Sequence, residues 1–265
     1  MPEKKELKLE SPVIELGGVG PKTQEKLRQI SIHTISDLLF HLPNRYQNKT
    51  KITPIDCLRD NEEGLIEGVL ESKQVLYRGR RSLTCQVSDL SGTVRLRFFH
   101  FSKHQIDSLK VGSRIQCFGL IRKRSNTFEL IHPEYKVSET FHAFPKIETL
   151  TPIYPLTDGI QQRKINSLIG MAINVLGKSN PEEFELIPSK IRRDFKLENL
   201  AESLRMIHLP PPDAKIDTNQ FTLPHIRRLA FEELLAQKLY LNQKRQQNSK
   251  WRPYQIRFTS LREKF

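Results

Sequence analysis

Between residues 64 and 131 the side chains change character every second residue, and this period of two constrains the fold more than any other feature. In 82–89, Leu83, Cys85 and Val87 alternate with Ser82, Thr84 and Gln86. Side chains of a strand point alternately to its two faces, so each stretch has one apolar and one polar face. Residues 93–101 repeat the pattern: Val94, Leu96 and Phe98 share one face, and Thr93, Arg95, Arg97, Phe99 and Phe101 share the other. Residues 64–76, 113–121 and 127–131 read as further strands separated by turn chemistry. A helical segment, 102–109, falls between the third strand and the fourth. Five strands with a helix in that place is the order of an OB-fold barrel. An SH3-like barrel lacks the helix, and a larger sandwich needs more strands.

The flanks are helical, so the fold class is α+β. Residues 1–12 are expected to be a flexible tail. In "ELGGVGPKTQEKL" a Gly-Val-Gly turn opens a helix at Pro21, a residue suited to the first helical position. Thr34 and Asp37 form a capping box for a second short helix that ends at Pro43. Helix, turn and helix make a hairpin in which Gly18, Gly20 and Lys22 can hold a DNA phosphate. The hairpin reads equally well as a packing element without a ligand. It does not read as a nucleotide loop, because Pro21 stands where G-x-x-x-x-G-K-[ST] needs a glycine before Lys22. The expected organisation is 1–50, tail and hairpin; 51–150, OB barrel; 151–221, Pro-rich linker and helices at 160–177 and 182–208; and 222–265, a long helix opened by Pro224, then a segment with no clear element. Ile226, Leu229, Ala230, Leu234 and Leu235 form an apolar stripe on that last helix. The connector 44–63 and the linker after the barrel, including "HPEYKV", are expected to be irregular or extended.

Charge narrows the ligand. The net charge is +13, and residues 73–124 carry twelve Lys and Arg against two acids, a local excess of ten. Such clustering is the footprint of nucleic-acid binding, whereas a merely solvated surface mixes the signs. The loop after the first barrel strand holds Tyr77, Arg78, Arg80 and Arg81. The loop after the fourth holds Arg122, Lys123 and Arg124. Both are expected at one barrel mouth as phosphate contacts, although hairpin loops are also basic for solubility. Arg95 and Arg97 alternating toward Phe99 and Phe101 resemble a base-stacking surface. The competing reading packs those rings under the following helix, and a bulge would exchange Phe98 and Phe99.

Other classes are disfavoured. Cys57, Cys85 and Cys117 are odd in number, far apart and without a CxxC, as expected of reduced thiols in the cytoplasm. His100 and His104 have no third metal ligand and read as solvated side chains. The charged N-terminus has no apolar core of a secretory signal, and no apolar run reaches the ~20 residues of a membrane span.

The stretches "LGGVGPKTQEKL", "TISDLLFHLPNRYQNKT", "CQVSDLSGTVRLRFFHFS", "IHPEYKV", "LTPIYPLTDGI", "LPPP" and "RRLAFEELLAQKL" occur in this order. Together they resemble the N-terminal region of RecG, the bacterial ATP-dependent DNA helicase that remodels stalled forks and Holliday junctions. The resemblance runs from about residue 13 to about 245. It implies that the barrel is a wedge that splits the fork, and that Phe98 and Phe99 stack on unpaired bases at the junction. It implies forked or branched DNA as partner, and single-stranded DNA as a further one. The family's motor lobes bind ATP and Mg²⁺. No G-x-x-x-x-G-K-[ST] occurs in this sequence, so neither cofactor, no metal and no catalytic residue is expected in this chain, which should act as a cytoplasmic monomer that binds DNA without hydrolysing ATP. Two alternatives stay open: a stand-alone single-stranded DNA or RNA-binding OB protein, and an inert protein-interaction module.

Overall fold

The computed structural model describes residues 7–77, 81–124, 127–138, 144–214 and 224–249. Two short helices open the chain, α1 (Pro21–Arg28) and α2 (Ile35–Phe40), followed by a short strand, β1 (Arg45–Gln47). The capping box forms as expected. Thr34 Oγ1 accepts from the Asp37 amide at 3.2 Å, and Asp37 Oδ2 accepts from the Thr34 and His33 amides, each at 2.8 Å. Burial raises the Asp37 pKa, but those hydrogen bonds outweigh it and hold the carboxyl below its ordinary value.

The barrel comes next: β2 (Glu63–Leu76), β3 (Ser82–Ser88), β4 (Thr93–Phe98), helix α3 (Lys103–Ser108), β5 (Arg114–Arg124), β6 (Thr127–Ile131) and β7 (Glu134–Ser138). The strand order is β2-β3-β4-β6-β5-β7, and β2 also pairs with β5, which closes the sheet. Cys85, Leu96, Leu130 and Ile121 stand directly opposite one another across four strands, and all are buried. Gly68 lies where β2 passes from one partner to the other, and an added Cβ would strike the Ser88 carbonyl, so the corner closes only on glycine. Ser102 caps α3, whose Ile106, with the following Leu109, closes one end of the core.

The chain ends in strand β8 (Thr151–Ile153) and helices α4 (Gln162–Leu176), α5 (Ser189–Asp194), α6 (Leu200–His208) and α7 (Pro224–Ser249). None of the described helices is long and apolar enough to cross a membrane. A single hydrophobic cluster joins Leu9, Val13, Leu27, Ile35 and Leu38 to Ile165, Leu168, Ile169, Leu200 and Leu204. The segments before and after the barrel therefore fold as one helical body, with the barrel inserted between them. A polar chain crosses that body. Tyr154 Oη donates to His208 Nδ1 at 2.9 Å, and His208 Nε2 donates to the Leu39 carbonyl at 2.8 Å, because a carbonyl can only accept. His208 is fully buried, and desolvation pushes its pKa down to about 4.

Five expectations are corrected here. Leu9 is buried in the helical core, so the tail is anchored from that residue on; residues 1–6 lie outside the described residues. Part of the connector is strand β1, which pairs with β8. "EYKV" is not linker: it lies in β7, a sixth strand that pairs with β5. Residues 182–208 are not one helix but a 3-10 turn and the separate α5 and α6, because Pro188 and Asn199 restart the chain. On α7 the expected stripe holds only in part: Leu229 packs against the helical core, but Leu234 is 65% exposed, and Arg228 is buried. Arg228 is paired with Glu185 and Glu232, both at 2.5 Å, and Arg192 approaches Glu185 at 3.7 Å. Residues 250–265 lie outside the described residues.

Candidate nucleic-acid interface

The outer face of the barrel follows from the same register. Directly opposite residues share a face, so Gln86, Arg95, Glu129 and Arg122 form one outward row across β3, β4, β6 and β5. Thr84, Arg97 and Ile131 form the next. Arg97 Nε lies 2.8 Å from Glu129 Oε1, oriented as an ion pair and not as a linear hydrogen bond. Arg124 Nε lies 3.9 Å from the second oxygen. Glu129 is thereby covered to 1% exposure. Arg95 and Arg122 make no ion pair among the described residues. The face is thus a basic layer pinned by a single carboxylate, with two guanidinium groups uncommitted.

The basic hairpins lie at opposite ends of β4, not at one mouth. Leu83, just after the β2–β3 turn, is opposite Phe98, whereas Phe128, just after the β5–β6 turn, is opposite Val94. Four residues of strand separate these points, roughly 13 Å. Arg122, Lys123 and Arg124 belong to strand β5 and not to a loop, and all three are exposed. The Lys123 amide donates to Asp60 at 2.8 Å, and its ammonium lies 5.8 Å from the Phe128 ring. At the other end Tyr77 is 75% exposed, and the Arg81 guanidinium lies 6.0 Å from its ring and 4.8 Å from that of Phe101. Arg78 and Arg80 lie outside the described residues.

The aromatic residues divide as strand parity requires. Phe98 is 2% exposed among Leu96, Leu83 and the Tyr135 ring, 5.6 Å away, and presents no face to a base. This corrects its assignment as a stacking residue. Phe101 is half-buried against the core and covered by Arg81. Phe99 is half-buried beside His132: its amide donates to His132 Nε2 at 3.1 Å, and the rings lie 5.8 Å apart. His100 stacks on the same imidazole at 5.8 Å and 23°. His132 and Glu129 are the members that sequence reasoning missed. Glu129 lies in β6 and His132 follows directly after it; β6 runs parallel to β4, and a parallel pairing between distant segments leaves no local signal.

In the N-terminal hairpin, Gly18 adopts φ +78°, Gly20 caps α1, and Lys22 is exposed at the second helical position.

The RecG wedge domain family matches residues 14–176. The chain belongs to the RecG wedge domain family. Curated relatives match more of the chain. The ATP-dependent DNA helicase RecG of Pasteurella multocida is 36% identical over 257 residues, covering 96% of this chain and 36% of that protein. The RecG of Escherichia coli K12 is 38% identical over 229 residues, covering 86% of this chain and 32% of that protein. The chain thus spans about a third of the length of these curated relatives. A solved RecG bound to a three-way DNA junction matches 93% of the chain, and 32% of its own, at a TM-score of 0.66 and 25% identity. The N-terminal hairpin does not fit the ATP of the relatives' name. Pro21 offers no amide in the hairpin, and no carboxylate lines the groove beside it to hold Mg²⁺. Among the described residues no group of three His, Cys, Asp or Glu could hold a metal ion.

Proposed function

We propose that this chain is the DNA-binding wedge of a RecG-like helicase that recognises stalled forks and Holliday junctions. In this reading it acts in the cytoplasm as a monomer and, alone, binds branched DNA without hydrolysing ATP. The observation that supports it best is the outer face of the barrel. Arg95 and Arg122 stand uncommitted in one outward row, with Lys123 and Arg124 following Arg122 on β5 and with Phe99 and His132 where β4 ends. Cations along such a track neutralise backbone phosphates, and a ring at its end stacks on a base that has lost its partner. Single-stranded DNA is bound by the same face, more weakly than a junction. Titrating a three-way junction, a duplex and a single strand of equal length tests the proposal. The junction is expected to bind most tightly, and Arg122→Gln/Lys123→Gln/Arg124→Gln to weaken it while the melting temperature holds. Equal binding of single strand and junction would favour a stand-alone single-strand binder. Salt-insensitive association would favour a protein-interaction module, because phosphate contacts release counterions.

A further inference from the structure

A second basic site lies on the helical body, away from the barrel's core. Gly18, Lys22, Lys26, Gly159 and Lys164 line a groove of about 320 Å³ between the α1 and α4 starts. Lys26 Nζ donates to the Gly159 carbonyl at 2.9 Å, and Lys164 Nζ donates to the Gly18 carbonyl at 2.6 Å. These bonds bridge segments more than 130 residues apart and hold both ammonium groups in place. Both glycines have left-handed φ, and a side chain on either would collide with the lysine above it. Lys26 and Lys164 are half-buried, yet none of the three lysines has an ion-pair partner among the described residues. The nearest acids in sequence, Glu25 and Asp158, do not line the groove, and Glu25 faces Arg28 at 3.8 Å.

This placement works against local stability. Lys22 is the second residue of α1 and Lys164 the third of α4, and neither helix has an acid in its first turn. Cations at a helix start oppose its dipole, so each costs stability that an acid there would supply. The Gly18 carbonyl positions the Lys164 ammonium but leaves its charge unneutralised, and a place where a sequence breaks a local rule is where a functional site is expected. Three like charges, two of them braced, call for an anion. The groove has no aromatic lining and so offers nothing to stack on an unpaired base. That favours backbone phosphates whose bases are already paired.

We infer that Lys22, Lys26 and Lys164 form a phosphate-binding groove for a duplex arm of the branched DNA, separate from the barrel face. The inference rests on the reading of the chain as a branched-DNA binder. Its test uses the full chain carrying Lys22→Gln, and then Lys22→Gln/Lys164→Gln. Each is titrated with a junction, a single strand and ATP over a salt series. For the junction, the log–log salt slope is expected to fall in magnitude by about one and then by about two, whatever the arm sequence. Single-strand binding is expected to be unchanged. Lys22 is exposed and unpaired, so its variant keeps the fold even if Lys164→Gln loosens the hairpin, and thermal melts check this. A junction slope unchanged in Lys22→Gln, with native melting, overturns the groove alone. A wild-type chain that binds no junction overturns the branched-DNA reading and the groove with it. ATP binding that is lost in these variants, with junction binding retained, assigns the groove to a free nucleotide and also overturns the inference.

Discussion

The barrel and the helical body use charged and polar groups in opposite ways. The barrel keeps its interior apolar and puts its charge outside, with Arg95, Arg97, Arg122 and Arg124 in register around Glu129. The helical body buries polar groups and satisfies them there: Tyr154, His208 and the Leu39 carbonyl form one chain, and Arg228, Glu185 and Glu232 form another. Buried polar pairs hold elements in one arrangement, because misalignment leaves a desolvated charge without a partner. Exposed cations cost little to keep and remain available to a ligand. The helical body therefore fixes position, and the barrel's outer face makes contact.

The largest effects should come from breaking the interiors. Phe98→Ala opens a cavity among Leu96, Leu83 and Tyr135 and is expected to cost ~3–5 kcal/mol in urea melts. A loss below ~1 kcal/mol there would mean that Phe98 is not core. Arg228→Met strands Glu185, which is 1% exposed, and should destabilise the helical body by ~3–5 kcal/mol. Because Arg192 approaches the same carboxylate, the lower end is expected. Unchanged stability would mean that α7 is not held by this pair.

His208 gives a smaller effect with a definite pH window. Its pKa falls from 6.5 to about 4 on folding, because desolvation opposes the charged form. As the pH drops below 6.5, the unfolded chain takes up a proton that the folded chain refuses until about pH 4. Stability is thus level above the window and falls through it, by about 3 kcal/mol in total. Melts near pH 7 and near pH 4, for wild type and His208→Gln, should differ by this component, and equal pH dependence in the two chains would refute it.

The smallest effect sharpens the contrast most. Phe99→Ala should leave stability within ~1 kcal/mol, as its ring lies outside the core, and should weaken junction binding by the ~1–3 kcal/mol of a lost stack. If Phe99→Ala unfolds the barrel while Phe98→Ala only loses DNA, the faces of β4 are reversed.

What was legible in the sequence had a short-range cause. Alternation at Val94, Leu96 and Phe98 is a property of neighbouring residues, and so is the Thr34–Asp37 box. The features that escaped depend on contacts between distant segments. Glu129 is an ordinary strand residue until parallel pairing brings it beside Arg95 and Arg97. Leu9 looks like part of a charged tail until α4 and α6 arrive to cover it. Arg228 looks like a solvated residue at a helix start, and only Glu185, 43 residues earlier, makes it a buried anchor. Gly18 of the hairpin was visible, but not the bond it accepts from Lys164 of α4, nor the bond from Lys26 to Gly159, because each joins segments more than 130 residues apart.

The central claim is that the outer face of the barrel contacts branched DNA through its uncommitted arginines. Its most direct test is a salt series of junction titrations with Arg95→Gln/Arg122→Gln, two side chains that share an outward row and make no ion pair among the described residues. The account predicts native melting, weaker binding for every arm sequence, and a log–log slope smaller in magnitude by about two. Unchanged affinity and slope in a natively folded double variant would contradict it.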